Sequence, residues 1–424
     1  MVVTELHISN FRGIGRIDQE CHNRLNVFIG NNGSGKSSLL RSLTILLSWF
    51  IARMRNVNGN GQLIGLDDIK LGTGGCDLAC RLDVCPEGWN VYRNAQGAPN
   101  DERRQSNLRA LMEYVRFQQR AMQADAGFNI PLVVHYPVTR SVLDIPLRIR
   151  GRHNFTPLAA YDDALYEGTA NFRLFFEWFR EREDLENEHY RNARVAGGEG
   201  VEDRQLAAVR SALQAFFPQL SGWHIRRNPL AMLVGKDGEW LKINQLSDGE
   251  KCFIALVADL ARRFAIANPS LANPLEGSGV VMIDEVDLHL HPKWQMMVIP
   301  RLLETFPNAQ FFITTHSPAV ISHVKPESLF LLQRPADGAG GVSLRTVQLS
   351  YGQTFDMVYK ALMGLHYTRP QLIAERFSHL YTLLSDNRIA EAKEMAKDLK
   401  AELVEDPEIL KIEGLIRRKE LIGK

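Results

Sequence analysis

The 424-residue sequence has almost no charge excess, few cysteines and no long apolar run. Its 50 lysines and arginines nearly balance 49 aspartates and glutamates, so no global basic field would draw it to nucleic acid. Five cysteines do not suggest a disulfide framework in a chain of this size. The longest apolar stretch, Leu39–Met54, contains two arginines and is shorter than the roughly 20 apolar residues of a membrane span. The N-terminus lacks the pattern of a secretion signal, so we expect a cytoplasmic protein without a membrane segment.

Two local features raise questions of metal and DNA binding. Cys76, Cys80 and Cys85 lie close together, but zinc sites usually take two cysteine pairs, and buried thiols in a strand are the favoured interpretation. Residues 147–153 place Arg148, Arg150 and Arg152 on one face if the segment is extended. A contact with a DNA backbone is one interpretation. A solvated edge or an acidic protein partner is favoured over it.

The most informative segment is the glycine-rich run Gly30–Ser37, here called the P-loop. It follows the apolar, β-branched segment Leu25–Ile29 and precedes a helical pattern, which is the context that a phosphate-binding loop requires. Its glycines let successive N–H groups converge on a polyphosphate, Lys36 is placed to reach the β- and γ-phosphates, and Ser37 is placed to ligate Mg²⁺. The positive end of the following helix faces the same anion. The predicted binding residues are Asn31, Asn32, Gly33, Ser34, Gly35, Lys36, Ser37 and Ser38. The sequence therefore predicts a nucleoside triphosphate site with Mg²⁺.

A second block supplies two acids. Val280–Ile283 is a continuous apolar run, typical of a strand covered on both faces, and Asp284 and Glu285 follow it directly. In open α/β sheets ligands lie beyond the carboxyl ends of such strands. We therefore expect Asp284 to hold Mg²⁺, directly or through water, and Glu285 to orient or deprotonate an attacking water.

A third block, Leu246–Lys251, is here called the signature segment. It heads the helical pattern Cys252–Phe264, so Ser247 and the Gly249 backbone lie at a helix N-terminus, a second phosphate site. One γ-phosphate does not need two such sites within one chain. The two sites make sense together if the second closes over a nucleotide held by another subunit, which predicts an ATP-sandwiched homodimer.

These blocks, followed by Phe311–Ser317, resemble the Walker A, signature, Walker B and switch-histidine blocks of an ABC-type ATPase, in the correct order. The opening Leu6–Gly13 resembles the start of the SMC, RecF and OLD branch of that family. The resemblance implies an α/β fold with a mixed sheet and a P-loop core. It also implies catalytic roles for Glu285 and His316, and a nucleotide contact for Arg12. Whether ATP is hydrolysed or only sensed stays open.

The remaining segments predict a compact ATPase domain over residues 1–350, with inserts at about 52–130 and 141–240. No heptad pattern is sustained, so the long coiled-coil arms of SMC proteins are not expected. The family's Mg²⁺-sensing glutamine has no clear counterpart, and Arg140 is the candidate for that position. Asp287–Pro292 has the position of the family's dimer-interface loop, an interpretation favoured over a histidine metal site.

The last segment is a predicted helical tail over residues 351–424. It follows a probable strand pair and carries apolar residues at helical spacing from Ile373 to Leu403. No Asp-x-Asp pair occurs after His316, which argues against the fused TOPRIM nuclease of OLD-type proteins. The tail is either the end of a domain or a region that docks a partner.

Most of the chain resembles a narrower group, the Septu-type (PtuA) ATPases of anti-phage defence and their retron-associated versions. The resemblance lies in residues 175–180 and 184–188, in the short insert and in Tyr351–Gly364. It implies an ATPase that scaffolds and regulates a separate HNH-type nuclease. Two alternatives are a sensor ATPase of another defence pair, such as PARIS with a TOPRIM effector, and a RecF-like DNA repair ATPase, which would need a basic groove.

Overall fold

The structure is a computed structural model that describes residues 1–99, 104–125, 127–139, 156–165, 172–334, 341–365 and 367–422. It divides into two compact units, residues 1–358 and 359–424. The strands, numbered in chain order, are β1 (Val3–Phe11), β2 (Ile14–Glu20), β3 (Leu25–Ile29), β4 (Gly75–Leu82), β5 (Cys85–Asn94), β6 (Leu132–Tyr136), β7 (Leu220–Arg227), β8 (Leu230–Lys236), β9 (Glu239–Lys242), β10 (Gly279–Ile283), β11 (Ala309–Thr314), β12 (Leu329–Gln333) and β13 (Ser343–Thr346). The helices are α1 (Lys36–Arg55), α2 (Arg109–Ala124), α3 (Phe172–Val195), α4 (Arg204–Phe216), α5 (Asp248–Ala267), α6 (Pro292–Thr305), α7 (Pro318–Ile321), α8 (Phe355–Leu362), α9 (Gln371–Ser385), α10 (Ile389–Glu402) and α11 (Pro407–Ile422).

The central sheet has the strand order β13-β12-β3-β11-β10-β6. β12, β3, β11, β10 and β6 run parallel, and β13 pairs with β12 in the antiparallel direction. Every residue of β3, β6, β10 and β11 is buried, which explains their mainly apolar sequences. The predicted α/β class with a mixed sheet around the P-loop is confirmed. Because β3, β10 and β11 end at one edge, the P-loop, Asp284 and His316 lie on the same side of the sheet.

A second, antiparallel sheet has the order β2-β1-β4-β5. Cys76 and Cys80 are buried in β4, and Cys85 is buried at the start of β5. Burial, followed by the charges of Asp77 and Asp68, raises the pKa of Cys76 to about 12, so this thiol is not a reactive one. β4 ends at Leu82, and a tight turn at 83–84 leads into β5. The described residues contain no group of His, Cys, Asp and Glu that could hold a metal ion.

A third sheet, β7-β8-β9, was not expected from the sequence. It lies with α3 and α4, where two buried carboxylates of α3 meet arginines distant in the chain. Glu183 accepts a hydrogen bond from Arg227, and Glu186 accepts one from Arg210 at 2.8 Å. These ion pairs join α3 to α4 and β7, so the charged second half of α3 is partly an internal face rather than a solvated one. Arg140 and the basic residues Arg148, Arg150 and Arg152 lie outside the described residues.

Residues 359–424 form a helical unit with a core of its own. The apolar residues predicted at helical spacing are on its inner side, and the fully or nearly buried ones are Ile373, Phe377, Leu380, Leu383, Leu384, Ala392, Ala396, Leu399, Ile409, Ile412 and Ile416. The Arg369 guanidinium lies over the Phe377 ring at 4.3 Å and pairs with Asp406 and Glu408. In the described part of the chain, none of the helices is long and apolar enough to cross a membrane.

Candidate functional site

The P-loop leaves the end of β3 in a backbone conformation that requires glycine. Gly30 and Gly35 have φ angles of 149° and 103°, in the region that L side chains rarely adopt. A Cβ on Gly30 would lie 2.3 Å from the Leu332 carbonyl oxygen, so no side chain fits there. α1 then begins at Lys36 with no acidic residue in its first turn and no side-chain cap. The first N–H groups of this helix are therefore available to an anion.

The polar side chains of the P-loop fit a polyphosphate. The Lys36 ammonium is buried and donates to the carbonyl oxygens of Gly30 at 2.9 Å and Asn31 at 3.2 Å. The Ser34 hydroxyl is buried without a hydrogen-bond partner, an arrangement that usually marks a place for a ligand. Ser37 is exposed at the mouth of the loop. Burial lowers the pKa of Lys36, and the nearby carboxylates of Asp284, Glu285 and Asp287 act in the opposite direction.

One threonine organises the two acids at the end of β10. Asp284 is 4% exposed, and its carboxylate accepts a hydrogen bond from Thr314 Oγ1 at 2.5 Å. The same Thr314 oxygen accepts the backbone N–H of Glu285 at 2.7 Å. Glu285 has a φ angle of 46°, uncommon for a residue with a side chain. The acids are thus turned toward the P-loop side by a sharp bend that β11 stabilises, and Asp284 and Ser37 are the candidates to hold Mg²⁺.

His316 lies after β11 beside the same group of charges. Burial, followed by the positive charge of Lys36, lowers its pKa, while Asp287, Glu285 and Asp284 act in the opposite direction. The histidine is therefore neutral at pH 7 in the nucleotide-free protein. Thr315 next to it donates to the Asp287 carboxylate at 2.5 Å, which fixes the start of the predicted interface loop.

The signature segment is held by a network at the N-terminus of α5. Ser247 is the exposed N-cap residue, and its N–H and hydroxyl donate to the Glu250 carboxylate at 2.9 and 2.8 Å. Lys236 of β8 donates to the other oxygen of that carboxylate at 2.8 Å. An added Cβ on Gly249 would lie 2.4 Å from the His289 carbonyl oxygen, so the signature segment packs closely on the interface loop. The two segments form one surface although they are about 40 residues apart in the sequence.

Arg12 lies at the turn between β1 and β2 with a φ angle of 50°. Its Nε donates to the Asp68 carboxylate at 2.7 Å, and its backbone N–H donates to the Asp68 carbonyl oxygen at 2.7 Å. Ile14, two residues later, packs near Gly35, since an added Cβ on Gly35 would lie 3.6 Å from its side chain. The turn therefore lies against the P-loop, while the Arg12 guanidinium is held by an acid that sequence reasoning missed.

Three further functional candidates escaped the sequence reasoning: Thr314, Lys236 and the buried Asp259 of α5. A threonine at the carboxyl end of an apolar strand is a weak pattern, although its place directly before Thr315 and His316 could have drawn attention to it. Lys236 donates to Glu250, 14 residues away in the chain. Asp259 pairs with the neighbouring Arg262 and Arg263 but also accepts from Tyr136, 123 residues away, a contact that no local pattern identifies.

The sheet order and the edge at which the P-loop, Asp284 and His316 meet define an ABC-type ATPase of the SMC/RecF branch. Family models agree: one described as "AAA domain, putative AbiEii toxin, Type IV TA system" matches residues 135–322, and one described as "AAA domain" matches residues 5–121.

Similar curated proteins indicate a narrower family within the ABC-type ATPases. The "Retron Vc95 probable ATPase" of Vibrio cholerae serotype O1 biovar El Tor is 33% identical over 354 residues, which are 72% of this chain and 68% of that protein. The "Retron Ec83 probable ATPase" of Escherichia coli is 29% identical over 388 residues, 78% and 71% of the two chains. The "Septu protein PtuA" of Bacillus thuringiensis is 22% identical over 392 residues, 91% and 90% of the two chains. The chain belongs to the family of these retron ATPases, and it is an ATPase of the retron and Septu defence type.

Proposed function

We propose that this protein binds ATP with Mg²⁺ and uses the nucleotide state to regulate a separate nuclease in anti-phage defence. The observation that supports the proposal most strongly is the meeting of Lys36, Asp284, Glu285 and His316 at one edge of the central sheet. The electrostatic influence of Lys36 on His316, and of the acids on both, reflects their proximity.

The roles of the residues follow from their chemistry. Bound Mg²⁺ would supply charge neutralisation between the β- and γ-phosphates, with Ser37 and Asp284 as its protein ligands. Lys36, now held by two loop carbonyls, turns to the phosphates when the nucleotide enters. Glu285 orients the attacking water and accepts its proton. His316, neutral at pH 7, is placed to hydrogen-bond the γ-phosphate or that water.

A second copy of the chain completes the site. Ser247 is exposed at the positive end of α5, and its own Glu250 occupies its hydroxyl. In the closed dimer the Ser247 hydroxyl and the Gly249 N–H contact the γ-phosphate held by the partner's P-loop. Such a pair is related by a two-fold axis, so its interface is isologous, and it contains two nucleotides. Residues 1–350 act as the ATPase domain, and larger assemblies of such dimers are compatible with this arrangement.

The effector is proposed to dock on the tail, residues 351–424. The unit at 359–424 has its own core, yet it exposes Leu372, Val404, Leu410 and Leu421 by between 61 and 84%. We propose that these exposed side chains contribute to the docking surface. The resemblance to the Septu-type and retron-associated ATPases implies an effector of the nuclease class, of which an HNH enzyme is the one we propose. Direct contact with DNA is not needed by this mechanism.

Copurification tests the docking. The full chain and a chain ending after Met363 are each expressed with the nuclease encoded beside the gene, and tagged ATPase is recovered. The full chain should retain the nuclease, and the shortened chain should bind ATP but lose it. The variant Lys36→Ala serves as the control, because it should lose ATP and keep the nuclease.

Four outcomes would contradict the proposal. DNA cleavage with Mg²⁺ or Mn²⁺ by the isolated chain would overturn the regulator role. Retention of the nuclease by the shortened chain would place docking on the ATPase domain. A TOPRIM enzyme as the bound partner would favour the PARIS-like alternative, and DNA binding without any nuclease would favour the RecF-like one.

A further inference from the structure

A buried ion cluster lies in the middle of α5, about three turns after Ser247. It consists of Asp259, Arg262 and Arg263, which are 0%, 2% and 0% exposed. The Asp259 carboxylate accepts from Arg262 Nη2 on one oxygen and from Arg263 Nε on the other, both at 2.6 Å. Burial alone would raise the pKa of Asp259, but the two guanidinium groups outweigh it and lower that pKa. The carboxylate is therefore ionised inside the protein.

A buried ion cluster gives a core no advantage in stability, because well-packed apolar residues of similar volume stabilise the folded state as much or more. Its directional hydrogen bonds, however, fix the orientation of the groups that they join, which apolar contacts do not.

The cluster makes hydrogen bonds with two other segments, the end of the edge strand β6 and residues 157–165. Tyr136, the last residue of β6, donates its hydroxyl to the Asp259 carboxylate at 2.9 Å. Arg263 Nη1 donates to the carbonyl oxygens of Ala160 at 2.7 Å and Asp162 at 2.8 Å. One ion pair on α5 therefore fastens the end of β6 and the segment at 157–165 to the same helix.

Tyr136 also contacts the candidate Mg²⁺ ligand. Its carbonyl oxygen accepts the backbone N–H of Asp284 at 2.9 Å, and its Cα pairs with Ile283 in the parallel register of β6 and β10. Two hydrogen bonds through one residue thus join the Asp284 backbone to the Asp259 side chain. α5 continues without interruption from Asp259 back to its N-cap Ser247, a distance of about 18 Å at 1.5 Å per residue.

We propose that Tyr136, Asp259 and Arg263 are positioning residues that couple Asp284 to the signature segment. Asp284 serves the nucleotide of its own chain, and Ser247 serves the nucleotide of the partner, so the coupling lets each site sense whether the other is filled. This inference rests on the proposed function, specifically on the nucleotide-sandwiched dimer.

The test compares two buried tyrosines. Tyr136→Phe removes the hydroxyl that contacts Asp259. Tyr161→Phe is the matched control, since Tyr161 is also buried and donates to the Pro131 carbonyl oxygen at 2.5 Å, without a bond to the ion cluster. Each change deletes one hydroxyl from a core, and Tyr136→Phe should lose somewhat more thermal stability because its acceptor is a carboxylate rather than a carbonyl.

The two variants should differ in nucleotide response. Tyr136→Phe should keep the KM for ATP but lower kcat by about tenfold, the size expected for a shift in the geometry of reacting groups. It should also weaken ATP-dependent dimerisation in light scattering, whereas Tyr161→Phe keeps both properties. Hydrogen exchange gives a second measurement: in wild type and Tyr161→Phe, ATP with Mg²⁺ slows exchange at residues 280–284 and 247–251 together, and in Tyr136→Phe only at 280–284.

The outcomes separate this inference from the proposed function. If the wild type neither dimerises nor changes exchange at 247–251 with ATP, the proposed function and the coupling both fall. If the wild type responds and the two tyrosine variants behave alike in kcat, dimerisation and exchange, only the coupling falls, and the cluster is a structural one.

Discussion

Thr314 holds Asp284 at 2.5 Å through its hydroxyl hydrogen and accepts the Glu285 N–H at 2.7 Å through its oxygen. One small side chain on β11 therefore sets the direction of both acids at the end of β10. Since the donor to a carboxylate and the acceptor from a backbone are the same atom, neither bond survives the loss of the hydroxyl. None of the sequence motifs identifies Thr314 as the residue that orients these two acids.

The change Thr314→Val tests this relationship, because valine has the shape of threonine without the hydroxyl. We expect a loss of about 1–3 kcal/mol in the free energy of unfolding, as a charged acceptor and a buried N–H each lose a partner. Mg²⁺-dependent ATP hydrolysis should fall more than nucleotide binding without Mg²⁺, measured by phosphate release and calorimetry. Thr314→Ser keeps the hydroxyl and is the control; a valine variant with unchanged turnover would show that Asp284 needs no orientation from β11.

The P-loop and the acids make separate contributions that two variants distinguish. Lys36→Ala should abolish ATP binding in calorimetry, because the loop loses the cation that faces the β- and γ-phosphates. Glu285→Gln should bind ATP as the wild type does, hydrolyse it slowly and accumulate the ATP-bound state. Full ATP affinity in the Lys36 variant would contradict the assignment of Gly30–Ser37 as the nucleotide site.

Ser247 is the exposed residue on which the proposed dimer closure depends. Ser247→Arg places a bulky side chain where the partner's γ-phosphate should lie, so ATP with Mg²⁺ should no longer produce a dimer in light scattering. ATP binding to the P-loop should persist, since Ser247 does not serve its own chain. The control Gln123→Arg makes the same one-unit change of charge at an exposed position of α2 and should dimerise normally; a wild type that stays monomeric with ATP would refute the shared site.

Much of the sheet and the nucleotide edge could be predicted because their chemistry is local. A phosphate-binding loop needs contiguous backbone N–H groups, so the prediction for Gly30–Ser37 rests on eight adjacent residues. β3, β10 and β11 are buried on both faces, and their apolar runs are visible without knowledge of any partner. The tail helices were predicted for the same reason, since an apolar stripe at helical spacing identifies its own inner face.

The unpredicted features depend mainly on long-range contacts. Glu183 and Glu186 resemble solvated charges in the sequence, but arginines of α4 and β7 neutralise them inside the protein. Asp259 interrupts an apolar helix and reads as a surface position until Tyr136 and two arginines surround it. The sheet β7-β8-β9 was missed because its strands are short or irregular, with a register shift between Ser221 and His224. Such features depend on which segments the fold brings together, so they cannot be identified from any one segment alone.

The pKa of His316 gives a test of the site that needs no turnover. Burial and the Lys36 cation lower it from the ordinary 6.5, so in the nucleotide-free protein the ring should lose its proton below that pH. The folded state then binds fewer protons than the unfolded state as the pH falls from about 6.5, so this histidine makes the protein less stable toward acid. NMR titration of the ring C–H resonance, assigned with His316→Gln, should give a midpoint below 6.5. Lys36→Met should move the midpoint upward because it removes the nearby cation, and ATP should do so because it adds negative charge. A midpoint that does not move in Lys36→Met would show that Lys36 and His316 do not share one site.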